Sequence, residues 1–172
     1  ALGYDSFEGN RYLLELIGGE NRLVPQFVCN PSSDDLEITQ RNVRDNRITS
    51  VRMMPAVHHY PFRDWVVKPW LDWLESEQIP LWIPVKYDFL HVDHTVDAHE
   101  LYETLESHPD LNVILCGAQY HEMSWVMPLL RSLGNIFIEI SRTINTDALT
   151  RILNVIAEER VVFGSGFPDG SI

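Results

Sequence analysis

The chain's 172 residues include 25 acidic and 13 basic side chains, for a formal net charge of -12, and 45% of them are hydrophobic. That much apolar material suits one folded domain with its own core, while the negative surplus repels phosphate backbones and anionic lipid, so neither nucleic acid nor membrane is an expected partner. Cys29 and Cys116 lie in apolar runs and read as buried thiols without a disulfide framework, and the lack of a leader-like stretch or bilayer-length apolar run makes a cytoplasmic location the expectation.

Along the chain, compact apolar runs rich in β-branched and aromatic residues predict buried strands at 23–29, 48–54, 79–85, 113–116, 136–140 and 161–163. Between them the spacing turns helical. Ser32, Ser33, Asp34 and Asp35 supply capping groups after the first strand, and Trp65, Val66, Pro69, Trp70, Trp73 and Leu74 form the clearest apolar stripe. Leu101 and Leu105, then Met127, Leu130 and Leu133, then Leu149, Leu153 and Ile156 mark later helices, with Gly134 and Asn135 placed to stop the one before Ile136. Strict alternation of strand and helix predicts a parallel sheet covered by helices, wound either into a barrel or into an open doubly wound sheet; periodicity alone does not choose. No low-complexity linker interrupts residues 1–172, so a single domain is expected.

In either architecture the loops after the strands carry chemistry and those after the helices carry stability. His58, His59, His91, His94 and His121 follow predicted strands, together with Asp88, Asp93, Glu122, Arg142 and Asp169, whereas His99 and His108 fall within or just after helical stretches. His91, Val92, Asp93 and His94 form the densest group, with imidazole and carboxylate donors suited to a zinc-like ion, although exposed loops collect such residues without any function. Of His58 and His59, one is expected to face a pocket and the other to pack against Tyr60, Pro61 and Phe62. Glu122 reads as a carboxylate in a helix's first turn, and Arg142 as either an anion-binding group or a solvated surface residue. Trp65, Trp70 and Trp73 read as helix-to-sheet packing. No glycine-rich phosphate loop occurs, and Gly164, Ser165 and Gly166 approach a nucleophile elbow only to meet Pro168 where the helix should begin.

The stretch Val161, Val162, Phe163, Gly164, Ser165, Gly166, Phe167 and Pro168 resembles the last-strand signature of the amidohydrolase-related family, an apolar pair followed by FGSD and an aromatic with proline. Asn10 with Leu13 and Leu14, followed by 23–31, is similar to that family's "N..L" helix and third strand; 50–55 resembles the fourth strand and 79–85 the fifth. The run from His108 to Leu115 resembles the "fPdlkiil" entry to the sixth strand, and 135–141 the "NvyidlS" seventh. The resemblance implies an α/β fold of (β/α)8 TIM-barrel type with strands three to eight present, the first two strands and the segment after the eighth having no counterpart. Its members are metal-dependent hydrolases and nonoxidative decarboxylases of small, often aromatic or lactone-like acids.

The metal positions depart from that pattern. The family's first-strand HxH has no counterpart; its fifth-strand histidine aligns with Pro84, its sixth-strand histidine with Gly117 and its eighth-strand aspartate with Gly166, while the fourth-strand lysine of some members aligns with Arg52. Such residues cannot hold an ion that lowers the pKa of bound water. The expectation is therefore a barrel without the usual metal site or any cofactor, serving as a noncatalytic small-molecule-binding or assembly protein, with Arg52, His58, His121 and Arg142 lining its pocket. The alternative is a hydrolase or carboxy-lyase acting on a small organic acid or lactone through His58, His91, Asp93 and His94, with zinc or manganese if a metal has been relocated there. An incomplete barrel would leave sheet edges and apolar interior to cover, so a homo-oligomer is expected.

Overall fold

Asp5, Asp35 and Asp97 each accept hydrogen bonds from backbone N–H groups two or three residues ahead, the capping interaction that fixes where a helix starts. The computed structural model describes residues 5–89, 92–143 and 147–166, the side chains of 88–94 excepted. In order, the elements are α1 (Ser6–Ile17), β1 (Phe27–Cys29), α2 (Leu36–Asp45), β2 (Val51–Met53), α3 (Pro55–His58), α4 (Asp64–Ser76), β3 (Leu81–Pro84), β4 (Lys86–Phe89), β5 (Val92–Thr95), α5 (Ala98–Leu105), β6 (Val113–Cys116), α6 (Met123–Ser132), β7 (Ile136–Glu139), α7 (Ala148–Leu153) and β8 (Val161–Val162).

Six strands form one parallel sheet in the order β1-β2-β3-β6-β7-β8. Chain order and spatial order run the same way with no switch point, the winding of a barrel, which resolves what periodicity left open. Side chains alternate between the two faces. Phe27, Cys29, Val51, Met53, Leu81, Ile83, Val113, Leu115, Ile136 and Ile138 join one buried core with Val67, Leu71, Leu74, Leu101, Leu105, Val126, Leu130 and Ile152 of the covering helices. Between them, Val28, Arg52, Trp82, Ile114 and Phe137 stand in register across five strands on the opposite face, the barrel interior.

Asn10 explains the motif at its position. From α1 its side-chain amide donates to the Val28 carbonyl at 2.8 Å and accepts from the Val28 N–H at 2.9 Å, filling the outward-facing bonds of β1 as a neighbouring strand would. At the strands' N-terminal ends, Arg160 donates to the carbonyls of Leu130, Leu133 and Ile136, and Asn135 to those of His108 and Leu111. That end is the stability face.

Several expectations need correction. The run 23–29 enters the ladder only at Phe27, leaving Leu23 and Val24 exposed, and the last strand stops before the exposed Phe163. Trp70 and Trp73 are buried and meet edge to face at 6.2 Å, but Trp65, in the first turn of α4, is 79% exposed and does not pack on the sheet. The stretch after β3, read as loop, is an antiparallel hairpin in which Lys86 pairs with Thr95 and Tyr87 with His94.

Candidate functional site

At the carboxyl ends of β2, β3, β6, β7 and β8 lies a cavity of about 430 Å³. Strand alternation aims Arg52, Trp82, Pro84, Cys116 and Glu139 at it; the hairpin contributes Lys86 and Tyr87, and the loops after β6, β7 and β8 contribute Gly117, Gln119, Ser141, Arg142 and 164–166. Three cationic side chains, Arg52, Lys86 and Arg142, line this cavity beside the Glu139 carboxylate. A larger hollow of about 1030 Å³, lined by Asp72, Glu75, Glu106 and Asp110 among others, lies at the opposite end of the strands.

Arg52 is held rigidly. Its Nε donates to Gln26 Oε1 at 2.8 Å, Gln26 Nε2 donates to Ser50 Oγ at 3.0 Å, and the guanidinium carbon lies 5.8 Å from the Trp82 ring centroid, a cation–π contact. Among the described residues no acceptor takes its two terminal amino groups, which remain available for a bidentate carboxylate. Glu139, 5% exposed, is anchored by Ser141, whose N–H donates to Oε1 at 2.6 Å and whose hydroxyl donates to Oε2 at 2.9 Å. A Cβ on Gly164 would fall 2.2 Å from that Oε1, so the β8 loop passes the carboxylate only because residue 164 is glycine. Burial pushes the Cys116 thiol up to about 11, with Arg52 pulling it down and Glu139 pushing it up, so it stays protonated at neutral pH.

Pro84, Gly117 and Gly166, the positions that the resemblance aligns with metal ligands, all line this cavity. Among the described residues, the lining offers a divalent ion few side-chain donors. Gly117 has φ +73°, and a Cβ on it would meet the Lys86 carbonyl oxygen at 2.7 Å, so the hairpin denies this position any side chain. Among the described lining residues the thiol and carboxylate donors are Cys116 and Glu139, beside three cations. No group of three or more histidine, cysteine, aspartate or glutamate side chains suited to a metal occurs among the described residues.

Arg52 and Arg142 thus meet in one cavity, whereas His58 and His121 are not among its lining residues. His58 ends α3, half-buried, with its ring 6.4 Å from that of Tyr60 and its Nδ1 buried without a hydrogen-bond partner among the described residues; burial lowers its pKa. His59 follows with positive φ as the cap of α3. His121 is exposed and lines a separate hollow with Tyr120, Met127 and Arg151. Glu122 is buried and accepts from the Gln119 N–H at 3.1 Å, holding the turn into α6. His91 and Asp169 lie outside the described residues, as do the side chains of Asp88, Asp93 and His94. Glu139, Lys86 and Tyr87 escaped the sequence reading. An acid inside the apolar run 136–140 was the available signal for the first, and the alternating run 86–89 for the others.

A family model described as amidohydrolase matches residues 6–169. No curated protein matches the sequence. Among solved structures, an uncharacterised TIM-barrel protein from Bordetella bronchiseptica superposes with a TM-score of 0.74 at 14% identity, covering 94% of this chain and 60% of that one. A 2,6-dihydroxybenzoate decarboxylase solved with 2,6-dihydroxybenzoate gives 0.73 at 16%, covering 96% and 67%, and a 5-carboxyvanillate decarboxylase from Sphingomonas paucimobilis gives 0.70 at 13%, covering 97% and 65%. At such identities the likeness is one of fold, the TIM barrel, and the chain spans between 60% and 67% of the length of these three proteins.

Proposed function

The chain belongs to the amidohydrolase family, and on that premise we propose that its barrel mouth binds a small organic acid without the family's usual metal. The carrying observation is Arg52, immobilised through Gln26 and Trp82 while lining a cavity that Lys86 and Arg142 also line. A preorganised guanidinium costs little entropy on binding and matches a carboxylate in two parallel hydrogen bonds. The cavity holds a ligand of benzoate size, and the fold neighbours named for 2,6-dihydroxybenzoate and 5-carboxyvanillate make aromatic acids sensible probes.

Calorimetric titration with 2,6-dihydroxybenzoate and with benzoate tests the reading. Binding that weakens about tenfold or more in Arg52→Ala is expected, the effect of losing one charge-assisted pair. Equal affinity in wild type and variant, or no binding, discards it.

A second reading, a hydrolase or decarboxylase of the same small acids, draws support from Glu139, a buried carboxylate placed for proton transfer within the anion-binding cavity. Following release of carbon dioxide and of hydrolysis products decides between them: turnover by wild type that falls about a hundredfold or more in Glu139→Gln favours the enzyme. Stoichiometric zinc or manganese lost on His91→Ala or His94→Ala would identify a relocated metal site and overturn metal-free binding.

A further inference from the structure

Arg11, Arg22 and Arg63 each pair with glutamate, the common fate of an arginine in a chain with 25 acidic side chains, and Arg160 spends its Nε and a terminal nitrogen on backbone carbonyls. The contacts that fix Arg52 are of another kind. Its Nε donates to the Gln26 amide oxygen and its guanidinium lies against the Trp82 ring, and neither partner carries a charge. Gln26 is fixed in turn: its Nε2 donates to Ser50 Oγ at 3.0 Å, which leaves Oε1 to face Arg52. Gln26 directly precedes β1 and Ser50 directly precedes β2, so two adjacent strand entries supply the relay. All three side chains are half-buried, where an ionised neighbour acts more strongly than it would in water.

We propose that Gln26 is a positioning residue whose uncharged amide fixes Arg52 without competing for its charge, so that the cavity selects an ionised acid over the neutral amide of the same shape. This role rests on the acid-binding reading above. A glutamate at position 26 would keep the acceptor in place but pair with the guanidinium, and an incoming acid would have to compete with it. An apolar side chain there would leave the charge but loosen the geometry, so that binding would carry the cost of ordering Arg52. The amide avoids both.

Calorimetry of the full chain with benzoate and benzamide, which share a ring and differ in charge, separates these roles. Wild type is expected to bind benzoate about tenfold or more tighter than benzamide. Gln26→Glu is expected to weaken benzoate about tenfold and to leave benzamide within about twofold, abolishing the preference. A purely mechanical role for Gln26 predicts the opposite, because glutamate retains the acceptor. Gln26→Leu is expected to weaken benzoate about threefold with the preference kept. Urea midpoints close to that of wild type certify both folds. Benzoate binding that is lost in Arg52→Ala yet unchanged in Gln26→Glu overturns the inference and leaves acid binding standing. If Gln26→Glu does not fold, wild-type benzoate affinity in Gln26→Leu overturns it alone. Benzoate that fails to bind wild type removes both.

Discussion

His58 illustrates how a residue placed after a strand can tie stability to pH. Burial lowers its pKa from the ordinary 6.5, with Asp34 pulling it back up and His59 lowering it further. Below pH 6.5 the unfolded chain takes up a proton that the folded chain accepts only at lower pH, so stability is lost as pH falls from 6.5 toward the folded pKa. Urea unfolding between about pH 5 and 7 should show that slope in wild type and a shallower one in His58→Gln. Gly117 is the second residue with a sharp expectation. Its positive φ and the Lys86 carbonyl together penalise any side chain, and Gly117→Ala should cost about 2 kcal/mol or more in the same assay, whereas an exposed glycine such as Gly134, with open space at its Cβ, should tolerate alanine. Arg52 was legible from the sequence through the family resemblance, which aligns it with the fourth-strand lysine of some members. Glu139 was not, because its anchor is local, through Ser141, and its value as a site residue depends on which loops fold over β7.

Elements depend on such residues for their limits. Asn10→Ala should destabilise the protein by about 2–3 kcal/mol, since it strips both backbone groups of Val28 of buried partners, and denaturant midpoints will register it. Asn10→Asp should be no milder, because it loses the donor and sets a charge against a carbonyl. The central strands were readable because both faces are buried and their apolar runs are unbroken: 113–116 coincides with β6, and 136–140 overshoots β7 by one residue. At the margins the same rule failed. Leu23 and Val24 are as apolar as a strand requires but precede the ladder, and apolar character alone does not say where pairing begins. The hairpin was missed because its histidines suggested a ligand cluster, although Lys86-Tyr87-Asp88-Phe89 alternates with the period of two that marks a strand. No helix among the described residues is long and apolar enough to cross a membrane.

At the scale of the molecule, the order of the units was visible in the chain, but its winding needed either the strand neighbours or the family resemblance. The sheet has two edge strands, β1 and β8, and they differ. Asn10 has taken the outward bonds of β1 at Val28, so strand addition is blocked there, while Leu13, Ile17, Leu23 and Val24 line an apolar hollow of about 380 Å³ beside it. We therefore expect self-association through side chains at this edge. Sedimentation equilibrium should give a dimer that strengthens with salt, as screening relieves repulsion between copies of charge -12, and Leu23→Lys with Val24→Lys should return it to monomer. A monomer at every salt concentration would refute this. The close approach of Gly117 to the Lys86 carbonyl also bears on any attempt to install a ligand at this strand end. A histidine placed at position 117 would find its space already occupied by main chain, so the hairpin would have to withdraw before the new side chain could enter the cavity.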